Sequence, residues 1–253
     1  MMHLLISLIV FVCVFGSAAV GLFLHKWLPE HHFSEESVNA IKLATGLIAT
    51  IAALVLGLLI SSAKSSFDTV NNDLVRNAVS IIRLDRNLAQ YGPQTQELRV
   101  LLKHNYSAWV DLLGSGDSAK MAKLDSASAV GPIEVFEHQL AQLSPTTPAQ
   151  AQLQIRALQI SDDVFAARWL AVLQKRGSIP MPLLIVLVFW LSIIFGTFGL
   201  FAPHNGTVIV FFLLCALSAS GAIFLILEMD TPLDGIIKVS VAPMREALQH
   251  LVP

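Results

Sequence analysis

Four stretches of this chain, Leu4 to Leu24, Leu43 to Ala63, Met181 to Ala202 and Thr207 to Leu227, contain no Asp, Glu, Lys or Arg. Each approaches or exceeds the ~20 residues a helix needs to cross a hydrocarbon core about 30 Å thick. In lipid a backbone must satisfy its own amides, so uninterrupted Leu/Ile/Val/Ala/Phe runs of this length read as helices. The spacing predicts four transmembrane helices. Composition agrees: 55% of residues are hydrophobic and 13% charged, against roughly 25% charged in a soluble domain. That is too little polar material to cover a water-facing globule. A net charge of -2 leaves no basic footprint to displace counterions from nucleic acid, so DNA and RNA are excluded as partners and the lipid bilayer is the first one.

The first run could be a cleaved secretory signal, with Ser17-Ala18-Ala19 as the small-residue site. Its length and the lack of a basic region in Met1-Met2-His3 argue for a retained span. Orientation follows the basic residues, 12 of 16 of which lie between Lys64 and Arg176. Lys64, Lys175 and Arg176 at the membrane edges weigh most, because long loops obey the positive-inside rule poorly. Both termini and the middle segment are then cytoplasmic. Cys13 and Cys215 fall inside apolar runs, where a thiol behaves as a small hydrophobe, and no disulfide or metal spacing is present.

The expected organisation is transmembrane helices 1 and 2 over 1–63, a cytoplasmic helical domain over 64–180, helices 3 and 4 over 181–229, and a cytoplasmic tail over 230–253 ending in a short amphipathic helix. After Lys64 the residues Phe67, Val70, Leu74, Ile81, Leu84 and Leu88 recur at helical spacing. No Gly or Pro falls between Leu58 and Tyr91, so the second span should run unbroken out of the bilayer. Gly92-Pro93 ends it. A second helix runs to about Leu113, a loop follows, and a short helix is expected over Ile133 to Leu143 after Gly131-Pro132. Thr147-Pro148 sets a capping hydroxyl before a proline at the first helical position, opening a helix to about Arg176. Ile236 to Val241 alternates weakly and is the one strand candidate. The class is all-α.

Thr45, Ala49, Ala53, Gly57 and Ser61 follow one another at i+4 along the second span. Such a row can let helix backbones approach closely or can line a pore, and at its inner end Ser61, Ser62, Lys64, Ser65 and Ser66 would set hydroxyls and a cation at the mouth, a composition that attracts anions. No charged residue lies mid-span, which disfavours coupled transport but not passive conduction. Glu228, Asp230 and Asp234 bring three carboxylates together around Thr231-Pro232. They could ligate a hard cation or only end the helix. His31-His32, with Glu30, Glu35 and Glu36, lacks a third ligand at defined spacing and reads as a solvated loop. Gly-x-Ser-x-Gly, His-Glu-x-x-His, P-loop and Rossmann patterns are absent from the sequence, and Asp162-Asp163 do not face each other on a helix. The residues suggest neither a catalytic group nor a cofactor, and an enzyme is not expected.

The stretch Leu54-Val55-Leu56-Gly57-Leu58-Leu59-Ile60-Ser61-Ser62-Ala63-Lys64-Ser65-Ser66-Phe67-Asp68, then Leu84-Asp85-Arg86-Asn87-Leu88-Ala89-Gln90-Tyr91-Gly92-Pro93, resembles a bestrophin-like group of bacterial integral membrane proteins, and so do Glu228 to Ser240 and Pro243-Met244-Arg245. The resemblance covers nearly the whole chain. It implies a homo-oligomer, a pentamer in bestrophins, in the bacterial inner membrane. It further implies passive conduction of anions such as chloride, with Ala53, Gly57, Ser61 and Lys64 lining the pore. The row is small where bestrophin necks carry bulky apolar rings. The alternative is a non-conducting scaffold or sensor whose cytoplasmic helices bind a protein partner.

Overall fold

A computed structural model describes residues 2–25, 27, 34–115, 127–173, 179–233 and 235–251. The helices are α1 (Met2–His25), α2 (Glu35–Tyr91), α3 (Gln96–Ser115), α4 (Ala127–Ala141), α5 (Pro148–Leu173), α6 (Met181–Phe201), α7 (Gly206–Asp230) and α8 (Ala242–His250), with a 3-10 turn over Pro93–Thr95. No strand occurs among the described residues. Four of the helices, α1, α2, α6 and α7, are long and apolar enough to cross a membrane. Two compact units emerge, Met1–Ser66 with Gly177–Asp230, and Phe67–Arg176 with Thr231–Pro253. Helix α2 contributes to both, and its 57 residues make about 85 Å of helix, far more than the ~30 Å a bilayer core absorbs.

In the first unit α1 lies against α6 through its smallest residues. A Cβ on Gly21 would fall 2.1 Å from the Gly196 carbonyl oxygen, and one on Gly199 would fall 2.1 Å from that of Ala18. Backbones approach that closely only where side chains are missing. Val10 and Val14 of α1 pack with Leu184 of α6 and with Ala216 and Ile223 of α7. Ala52, Leu59 and Ala63 of α2 pack on Leu187, Ile194 and Ile226. The ends of α1 and α6 are cross-clasped: the His25 ring nitrogen Nδ1 is 2.8 Å from the Leu200 carbonyl, and His204 Nε2 is 2.7 Å from that of Leu22. Large apolar side chains such as Leu8, Val12, Leu58, Phe189 and Phe211 point outward. Water would not tolerate so much continuous apolar surface, whereas lipid solvates it.

The second unit has a conventional interior. Leu74, Ile81, Leu84 and Leu88 of α2 meet Leu102 and Trp109 of α3, Phe136 and Leu140 of α4, Ile160 and Val164 of α5, and Met244 of α8. The α2–α3 hairpin turns at Gly92, whose φ of 129° is a conformation that L side chains rarely adopt. Arg99 then reaches back to Asp85 with Nε to Oδ1 at 2.8 Å and Nη2 to Oδ2 at 2.9 Å. The Gln150 amide donates to Thr147 Oγ1, the cap expected at Thr147-Pro148.

One local expectation fails, and the weak strand candidate is not realised. Helix α4 begins at Ala127 and carries Pro132 inside it, rather than starting at Ile133. Pro132 is the sixth residue of that helix, past the four amides that lack an intrahelical partner, so it removes one i→i−4 hydrogen bond inside the helix. The residues Ile236 to Val241 form no strand. Their backbone is held instead by the Val239 amide donating to Pro232 O, since alternation without a neighbouring strand has no ladder to complete.

Candidate functional site

Helix α2 advances about 100° per residue, so a strict i+4 row drifts by about 40° at each step. That drift splits the predicted row. Thr45 is buried and Ala49 packs on the cluster built around Ile194, whereas Ala53, Gly57 and Ser61 are exposed. A Cβ on Gly57 would meet no atom within 4 Å. Mixed steps of three and four residues stay close to one meridian, and the exposed small side chains there are Gly46, Thr50, Ala53, Gly57 and Ser61, followed by Lys64. Gly46 and Thr50 were missed by the constant i+4 spacing; a seven-residue count would have found them.

The stripe differs chemically from the surfaces beside it. On one flank Leu47, Leu54 and Leu58 are bulky and open, Leu58 being 70% exposed. On the other, Ala52, Leu59 and Ala63 are buried against the chain's own helices. Between them the surface is narrow, small and partly polar. Thr50 donates its hydroxyl to Gly46 O at 2.9 Å, so that polar group is satisfied within the helix. Lys42 and Lys64, both exposed, stand at the two ends of the charge-free run, and Glu35 and Glu36 occupy the first turn of α2, where the helix dipole favours acids.

The carboxylates at the end of α7 lie elsewhere. Glu228 is buried, with Oε1 3.0 Å from His3 Nδ1. The Asp230 carboxylate, also buried, accepts the Ile179 amide at 3.1 Å. Asp234, the third predicted ligand, lies outside the described residues, as do Glu30, His31 and His32. Among the described residues no three His, Cys, Asp or Glu side chains gather as a metal site would need. The His3 contact had no signal in the sequence, because it joins positions 225 residues apart.

Four membrane-length apolar helices, one of them 57 residues long, define an all-α integral membrane protein. The Bestrophin-like domain profile matches residues 12–244, and the chain belongs to the bestrophin-like family. Crystal structures of a bacterial bestrophin homologue from Klebsiella pneumoniae are similar to it. One single-substitution form is 14% identical with a TM-score of 0.66 over 97% of each chain. Another is 13% identical with a TM-score of 0.63 over 96% of this chain and 97% of that one. At that identity the likeness is one of fold. No curated protein matches the sequence.

Proposed function

We propose that this protein is a homo-oligomeric, passive anion channel of the bacterial inner membrane, with both termini cytoplasmic and with α2 lining the pore. The observation that carries the reading is the exposed stripe Gly46, Thr50, Ala53, Gly57, Ser61 and Lys64, which the chain's own helices leave uncovered. A lipid-facing helix gains nothing from such residues, since bulky apolar side chains such as Leu54 and Leu58 fill acyl chains better. Copies of α2 around an axis would turn the stripe into a narrow path of small residues and hydroxyls, ringed by lysines at both mouths. Cations there raise the local anion concentration without binding anions tightly within the path. Bestrophins are anion channels, and the pentamer of that family is the assembly proposed here. Glu228 and Asp230 hold His3 and the Ile179 amide beside the end of α7, with a cation site among Glu228, Asp230 and Asp234 as the lesser reading.

Purified protein in planar bilayers should pass chloride, and Gly57→Phe should lower that current at least tenfold by filling the space now open at Gly57. A stable oligomer that stays silent in bilayers, or a current that Gly57→Phe leaves unchanged, refutes the reading. In that case a scaffold whose helical unit binds a protein partner becomes the better account.

A further inference from the structure

The second unit holds a groove that the channel reading does not use. It lies among α3, α4 and α5 and is lined by Asn105, Trp109, Leu112, Pro132, Ile133 and Arg168, with a volume of about 170 Å³. At its inner end a recess of about 20 Å³ reaches Tyr106, Phe136 and Phe165, room for about one water. An apolar cavity of about 150 Å³ is enough to take a benzene-sized ring. The groove is held open by a cross-link between two of its walls, Asn105 Nδ2 donating to Pro132 O at 3.1 Å.

Its polar groups are unbalanced. Arg168 is half-buried, and among the described residues it makes neither an ion pair nor a hydrogen bond. Burial alone moves its pKa down, with no carboxylate to offset it, although a guanidinium stays charged. Two further donors belong to side chains lining the same recess: among the described residues Trp109 Nε1 and Tyr106 OH have no partner, on side chains only 5% and 3% exposed. Burial pushes the Tyr106 phenol up, so it remains neutral and able to donate. One cation and two neutral donors line the slot and its recess, with no carboxylate among the described lining residues.

We infer that this groove binds a small monocarboxylate carrying a ring-sized apolar body, with the carboxylate on Arg168 and the ring between Trp109 and Ile133. A guanidinium takes a carboxylate in two parallel hydrogen bonds, and a single negative charge balances the single cation. The apolar walls reject a bare hydrated anion, which separates this site from any chloride path. The inference stands independently of conduction.

The test is calorimetric titration of the full-length protein in detergent with phenylacetate, using acetate and benzyl alcohol as the ringless and chargeless arms. Phenylacetate should bind saturably, one per chain. Acetate and benzyl alcohol should each bind at least about tenfold more weakly, as loss of a charge-assisted contact or of the buried ring implies. Arg168→Gln should weaken phenylacetate at least tenfold, and Ala108→Phe, at an exposed position lining the groove, should block it. Size exclusion and circular dichroism check that both variants fold. Absence of saturable binding at about 10 mM phenylacetate, a limit set by the weakest useful affinity, would overturn the proposal. So would equal affinity for acetate, or affinity unchanged in both variants.

Discussion

Replacing Arg99 by Met removes one half of the ion pair that locks the α2–α3 hairpin and leaves Asp85, 1% exposed, facing apolar neighbours. Both oxygens of Asp85 accept from Arg99, at 2.8 and 2.9 Å, and Arg99 is itself 9% exposed. Water cannot take over either role. Breaking a buried pair from one side costs about 3–5 kcal/mol, because a charge is left uncompensated where solvation is lost. Replacing both partners by apolar residues of similar size removes the Coulomb attraction and the desolvation penalty together, and is often close to neutral. The single variants Arg99→Met and Asp85→Leu should therefore each be far worse than the double. For a protein of this size about 2–4 °C of melting temperature accompany each kcal/mol, so each single variant should melt about 6–20 °C lower. The double should recover most of that loss, so the coupling between the two positions should exceed either single loss. Thermal unfolding in detergent, followed by tryptophan fluorescence, measures all four proteins. Single variants that melt within about 2 °C of the parent, or a double variant that loses the sum of the two, would show that the pair is not the buried lock its geometry implies.

Other consequences can be measured in the same way. Gly199→Val should separate α1 from α6, since its Cβ alone falls 2.1 Å from the Ala18 carbonyl oxygen. Overpacking of this kind costs about 1–3 kcal/mol or more, and a melting temperature equal to the parent's would contradict the close contact. Gly92→Ala puts a Cβ at φ 129°, a strain of about 1–3 kcal/mol. It should speed proteolysis at the α2–α3 turn, and an unchanged cleavage rate would count against that strain. If the stripe lines a pore, Lys42→Glu with Lys64→Glu should shift the reversal potential toward cation permeation in a chloride gradient; an unmoved potential would place both residues away from the ion path.

Much of this molecule could be read directly from residue order. Four charge-free runs of membrane length, and a second span with no Gly or Pro from Leu58 to Tyr91, dictate spanning helices and a continuous α2, because backbone satisfaction in lipid and helix propagation are local requirements. The Thr147-Pro148 cap and the Gly92 turn are local in the same sense. Which side of α2 lies open is not a local property. Thr45 and Ala53 are both small, yet one is buried and the other exposed, since only the placement of Leu187, Ile194 and Ile226 decides what covers a helix. His3 meets Glu228, and Arg168 shares a groove with Trp109 and Pro132, only because separate helices pack together. Helical periodicity assigns each residue to a face, but the chain's own packing determines whether that face meets protein, lipid or an open path.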